Sequence, residues 1–355
     1  MPELLKAFIA PTQSPAKFPL PKTEITAILM SLRVPLRGTK QSRPLINNMS
    51  SILVSGSLAY DYLLTFPGAF QDELIDHNAG SLSVSFYITD KSVFFGGCAG
   101  NIAYNGKLLK ENFILLGIAG RDFGGYEKWL NNHKIDTSNV IIEKNDYTSS
   151  ANVATDKKGQ QITFFHGGAA QKSNLHKKEI KAAITRNAKK IKLAIISPND
   201  RNFILASIEG CAENKIPFIF DPGQAMPLFK AAELIEIIKK SSGLMLNEYE
   251  LALLKKHTKF SQTEIFRLAR LTIVTLGEKG SEINFKGKTI KIPTRKPKKI
   301  VDPTGCGDAF RAGFLATIKD SFPNLTPEIL QKAGQRGTNL ALACLQSIGT
   351  QNHSL

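Results

Sequence analysis

A chain of 355 residues, 42% hydrophobic and 21% charged, is long enough to bury a large core and too apolar to be disordered throughout. It holds no run approaching about 18 unbroken apolar residues, so a spanning helix and a membrane partner are not expected. Its four cysteines, Cys98, Cys211, Cys306 and Cys344, have neither paired metal spacing nor the density of a disulfide framework, and a reducing, cytoplasmic setting is expected. The net charge of +16 divides into +5 over residues 1–48 and +11 spread over the other 307. A nucleic-acid binder concentrates such charge and interleaves aromatics with it. Here it reads as a solvated basic surface, whose field favours a polyphosphate substrate.

Residues 1–48 contain Pro2, Pro11, Pro15, Pro19, Pro21, Pro35 and Pro44 and no sustained helical or strand period. Proline at that density removes donors and breaks regular elements. The segment reads as a Pro-rich, basic, disordered extension, as the product of a start codon upstream of Met49, or as an organellar presequence. It lacks the apolar core and cleavage site of a secretory signal.

From Ser51 onward strand and helix patterns alternate. Short apolar runs at 52–55, 113–119, 192–197, 217–220, 244–246 and 272–275 read as buried strands, and 98–110 has a helical period. The alternation predicts a mostly parallel sheet with helices on both faces. Leu82–Phe95 and Ala151–Phe165 break the rhythm with partial two-residue alternation. They predict a smaller β-sheet, with lid strands at about 80–96 and 147–168, placed to cover a site beyond the strand ends.

The run Asp302-Pro303-Thr304-Gly305-Cys306-Gly307-Asp308 precedes a helix extending towards Ile318. Its glycines let successive N–H groups converge at a helix N-terminus, an arrangement that attracts a phosphoryl group. Asp308 there either caps the helix or accepts a proton from an attacking hydroxyl. Gly96-Gly97 followed by Asn101 is a second glycine-rich turn into a helix, and by itself a weak signal. Asn247 and Glu250 place an amide and a carboxylate three residues apart, suited to the water shell of Mg²⁺ or to a capping box. Thr275-Leu276-Gly277-Glu278-Lys279-Gly280 closes a strand with a tight turn, for phosphate approach or merely for a hairpin.

These four motifs, in this order across about residues 50–350, resemble the ribokinase (PfkB) family of carbohydrate and nucleoside kinases. The resemblance implies an α/β fold, a ribokinase-like three-layer core with a mostly parallel central sheet and a small β-sheet lid, over 49–355. It implies ATP as donor and Mg²⁺ as helper; the choice between monomer and homodimer and any monovalent cation stay open. It makes Asp308 the base, with the backbone N–H groups of Gly305, Cys306 and Gly307 as the anion hole. It assigns Asn247, Thr275, Gly277 and Gly280 to ATP, and Glu250 with Asn247, through water, to the metal. The sequence departs from the commoner pattern at Cys306, where alanine is usual, and at Pro303, where threonine is.

The family uses an acidic residue at the end of the first strand to grip a sugar diol, and Asp61 falls there, with Gly96, Gly97 and Asn101 completing the grip. The segments 160–169, 218–224 and 351–353 resemble bacterial adenosine-kinase-like members. Phe86, Phe95 or Phe165 could then sandwich a purine. His166 is expected to be hydrogen-bonded and structural, and Asp122 structural. The expected reaction is transfer of the γ-phosphoryl of ATP to the 5′-hydroxyl of a nucleoside, adenosine first. A sugar kinase of ribokinase or fructokinase type is the alternative, and a non-catalytic nucleotide-binding regulator on the same scaffold the second.

Overall fold

The computed structural model describes residues 50–73 and 84–355. The expected extension over 1–48 lies outside the described residues, as do positions 80–83 of the first expected lid segment. In chain order the strands are β1 (Ser51–Ser55), β2 (Ala59–Thr65), β3 (Asp90–Gly96), β4 (Phe113–Gly120), β5 (Val140–Glu143), β6 (Ser149–Thr155), β7 (Gln161–His166), β8 (Ile191–Ile196), β9 (Phe218–Phe220), β10 (Gly243–Asn247), β11 (Leu271–Thr275), β12 (Ser281–Phe285) and β13 (Lys288–Ile292).

Nine of them form one sheet in the order β13-β12-β11-β10-β9-β8-β1-β4-β5. Strands β11, β10, β9, β8, β1, β4 and β5 run parallel, and β12 and β13 are antiparallel to their neighbours. The apolar runs of the central strands follow from burial on both faces. In β1, Ile52 and Val54 enter one core and Leu53 the other, and β8 divides likewise into Leu193 and Ile195 against Ala194 and Ile196. The first core is closed by helices Cys98–Leu108, Cys306–Ile318 and Pro327–Cys344, the second by helices Lys177–Asn187, Arg201–Glu213 and Ala231–Lys240. Three layers result, as expected.

The second sheet has the order β3-β2-β6-β7. Strand β2 was not foreseen as a separate element. Asp61 therefore does not close the first strand; it sits in the middle of a lid strand, paired with Phe94 of β3 and Ala151 of β6. The first lid segment is also shorter than expected, since regular pairing begins at Asp90. On one face Leu64, Ala154 and Ile162 pack with Phe66, Phe70 and Phe86, giving this sheet a small core of its own. A sheet of four strands needs such a face to be stable.

Candidate active site

The loop before helix Cys306–Ile318 is held by its own side chains. Asp302 accepts from the Thr304 N–H and the Gly349 N–H, each at 2.9 Å. Gly305 has φ +79°, and a side chain there would run into Thr350, so glycine is required twice over. Gly305 is the N-cap and Asp308 the third residue of the first turn. The first-turn N–H groups have no acceptor within the helix. That of Cys306 donates to the Pro303 carbonyl at a long 3.3 Å. Burial pushes the Asp308 carboxyl up to about 6, against Arg311 and Asn101, which favour the anion.

Asn101, on helix Cys98–Leu108, donates from Nδ2 to Asp308 Oδ2 at 2.8 Å. Its Oδ1 accepts from Thr350 Oγ1 at 2.7 Å and from Gln351 Nε2 at 3.0 Å. The Gln351 amide N–H fixes the orientation of the Asn101 amide, with the one Thr350 hydroxyl hydrogen shared between Oδ1 and the Phe95 carbonyl at 2.9 Å, and the N–H face is thereby aimed at the carboxylate. Gln351 is itself held by Tyr126 and Trp129. One step on, the His353 ring meets Asn105 Oδ1 at 2.8 Å, and burial draws its pKa down to about 4, so it is neutral. The C-terminal segment thus props the residue that props Asp308. Thr350 and Tyr126 went unnoticed in the sequence.

Asp61 lies over Gly96, where a methyl group would strike its carboxylate. Gly97 has φ +85°, and its missing side chain makes room for the Ser57 carbonyl and Leu58. Burial, reinforced by Asp302, pushes the Asp61 carboxyl up to about 6. Register puts Asp61, Ala151 and Phe165 on one face of the lid, in a row across β2, β6 and β7. Phe165 is 70% exposed there. The other two candidate rings are occupied: Phe95 stacks on Tyr126 with centroids 4.7 Å apart, and Phe86 packs edge-on against Phe66 and Phe70. Asp122 accepts from the Thr148 N–H and hydroxyl at 2.7 Å, a structural use. His166, expected to be hydrogen-bonded, is exposed on β7 with no side-chain hydrogen bond among the described residues.

Beyond the carboxyl ends of β9, β10 and β11 lie three further groups. Asp221, fully buried, receives Arg311 Nε and Nη2 at 2.6 Å each. Neither was a sequence candidate, although a lone charge inside Phe218-Ile219-Phe220-Asp221 and inside Ala309-Phe310-Arg311-Ala312 was a usable signal. Asn247 and Glu250 form a reciprocal capping box at 2.7 Å in each direction, which occupies one oxygen of each. Burial and then Asp221 raise the Glu250 pKa. Thr275–Gly280 does turn a hairpin, joining β11 to antiparallel β12, with Gly277 at φ +59° and Gly280 at φ +89°. The described residues contain no cluster of three or more His, Cys, Asp or Glu able to cage a metal. Glu250 keeps one oxygen free of the box, which suits an ion held mainly by phosphate oxygens and water. A separate groove of about 1430 Å³, lined among others by Lys215, Ser242 and Arg270, opens near the amino ends of β9 to β11 and contains none of these residues.

The pfkB family carbohydrate kinase model matches residues 60–355. The chain is 33% identical over 273 residues to a nucleoside kinase of Methanocaldococcus jannaschii, covering 76% of this chain and 85% of that one. The Burkholderia thailandensis nucleoside kinase in complex with inosine superposes with a TM-score of 0.71 at 31% identity, over 86% of this chain and 94% of that one. A fructokinase of Salmonella typhimurium is similar at 26% identity over 236 residues, 63% of this chain and 76% of that one. With the three-layer core and the lid, these findings show that the chain belongs to the pfkB family of carbohydrate kinases and is an ATP-dependent kinase of nucleoside or sugar hydroxyls.

Proposed function

We propose that the chain transfers the γ-phosphoryl of ATP to the 5′-hydroxyl of a purine nucleoside, with adenosine the preferred acceptor. The observation that carries the choice of a nucleoside is the lid row Asp61–Ala151–Phe165. Two strand spacings separate the carboxylate from the exposed ring, about 10 Å, comparable with the length of a nucleoside. Asp61 accepts hydrogen bonds from the ribose diol, and Phe165 offers its face to the base. A free sugar uses the first group and leaves the second idle. The relative from Burkholderia, whose structure holds inosine, supports a purine nucleoside as the class.

In this reading the diol grip turns the 5′-hydroxyl towards Asp308. Asn101 holds Asp308 Oδ2, leaving Oδ1 for the hydroxyl proton. As that proton leaves, the oxygen attacks the γ-phosphorus and the bond to the ADP oxygen breaks. The N–H groups of Gly305, Cys306 and Gly307 line the anion hole and stabilise the spread negative charge. For Cys306 this exchanges the long bond to Pro303 for a phosphoryl oxygen. Thr275, Gly277 and Gly280 approach the nucleotide, while Asn247 and Glu250 would hold a Mg²⁺ ion through water, and that ion would supply charge neutralisation at the phosphates.

A radiolabel transfer panel of adenosine, inosine, cytidine, ribose and fructose tests the proposal. Adenosine is expected to exceed ribose and fructose in kcat/KM by at least about 100-fold, the discrimination a few lost contacts produce. A sugar outperforming every nucleoside would refute it.

A further inference from the structure

Beside the Gly305–Asp308 loop stands a buried ion pair to which the mechanism above gives no task. Arg311 lies three residues after Asp308, on the same face of helix Cys306–Ile318. Its Nε and Nη2 grip Asp221, and the pair is nearly inaccessible, at 8% and 0% exposure. A buried ion pair is a poor stabilising device, because desolvation cancels most of the attraction and an apolar pair of similar volume serves as well. The arrangement calls for another explanation.

Nη1 supplies one. The guanidinium has five N–H bonds, and a bidentate grip through Nε and Nη2 leaves both hydrogens of Nη1 unused. Nη1 has no hydrogen-bond acceptor among the described residues. It lies against Gly307 of the phosphoryl loop: a side chain there would meet Nη1 at 2.7 Å and nothing else closer than 3.9 Å. Gly307, unlike Gly305, does not have a positive φ. A side chain there would therefore have to displace Nη1, which the grip of Asp221 on the guanidinium resists, while the backbone conformation places no demand for glycine. Around the guanidinium stand Asp221, Asp308 and Glu250, the charges that act on it most strongly. One cation among three carboxylates leaves this corner net negative, so a cation whose free donors reach the phosphate adds to the neutralisation that Mg²⁺ would supply.

We propose that Arg311 is a catalytic residue, whose Nη1 donates to an oxygen of the phosphoryl group during transfer while Asp221 holds the guanidinium in place. This rests on the reading of the Gly305–Asp308 loop as the phosphoryl site. No bond changes at Arg311: the 5′-oxygen to phosphorus bond forms, the bond from phosphorus to the ADP oxygen breaks, the proton goes to Asp308, and Arg311 offsets charge throughout.

Two variants separate this role from that of a strut. Asp221→Asn keeps the cation but offers Nε and Nη2 a single acceptor oxygen in place of two, and the double variant Asp221→Asn with Arg311→Gln replaces the ion pair by a neutral amide pair. For the double variant, kcat is expected to fall about 100-fold below the unaltered protein, as for the loss of one transition-state donor, with Asp221→Asn between the two and KM for adenosine within about twofold. Binding of ADP with aluminium fluoride, Mg²⁺ and adenosine falls in parallel, while ADP alone binds as before. A folded double variant with kcat within about threefold of the unaltered protein overturns the proposal, as does a loss confined to KM. Should the double variant not fold, the unaltered protein crystallised with ADP, aluminium fluoride, Mg²⁺ and adenosine decides: Nη1 within about 3.2 Å of a fluoride supports it, and a greater distance overturns it. Asp308→Asn, run alongside, distinguishes failure of the site reading, which would leave that variant active, from failure of the Arg311 role alone.

Discussion

In Asp308→Asn the amide oxygen can still accept from Asn101 Nδ2, which lies 2.8 Å from Oδ2, but the side chain can no longer take a proton. Turnover is expected to fall by about 1000-fold, within the range of a lost general base. Stability should move the other way. Burial holds the carboxyl at about 6 against an ordinary 3.8. Below 3.8 the group is protonated in the folded and unfolded chain alike, and no penalty arises. The penalty builds as the pH rises through that value and is complete above about 6. Its full size is about 3 kcal/mol, and solvent on the pocket side reduces it to about 2 kcal/mol. Asparagine escapes it, so Tm at pH 7.5 should rise by about 4 °C, and at pH 4.5 by about a third of that. Thermal melts at the two pH values, with phosphoryl transfer from labelled ATP, read both effects. Near-wild-type turnover would refute the base, and an equal loss of stability at both pH values would refute the linkage.

The pH profile of kcat/KM should fall on the acid side with a midpoint near 6 and a slope approaching two, because Asp61 and Asp308 both stand at about 6 and both act ionised; a profile flat down to pH 5 would contradict this. Phe165→Ala should raise KM for adenosine about tenfold, leave KM for ribose unchanged and leave Tm unchanged, since the ring is 70% exposed; equal effects on both acceptors would place the base elsewhere. Gly97→Ala forces φ +85° on a residue with a side chain and drives it into the Ser57 carbonyl, so a loss of at least about 2 kcal/mol is expected in urea melts.

The central sheet was legible because its strands are buried on both faces, and that burial writes continuous apolar runs such as 113–119 into the chain. The glycine turns were legible for a similar reason: left-handed or crowded backbone at Gly97 and Gly305 admits no other residue, so the requirement is local. Asp308 was found through such a turn. Strand β2 was missed because Ala59–Thr65 mixes buried and half-exposed positions without a clean alternation, and its neighbours β3 and β6 come from 90–96 and 149–155. Which lid aromatic stays free was likewise a matter of packing, since Phe86, Phe95 and Phe165 look alike until their neighbours are known. The supports of the site lie furthest from sequence. Asp221 meets Arg311 across 90 residues, and Gln351 meets Asn101 across 250. Periodicity reports what a segment buries; which distant side chain completes a hydrogen bond is decided only when the layers close. The chain by itself therefore determined the scaffold and the loop that carries Asp308, and the tertiary structure decided what holds that carboxylate and which cation lies against the loop beside it.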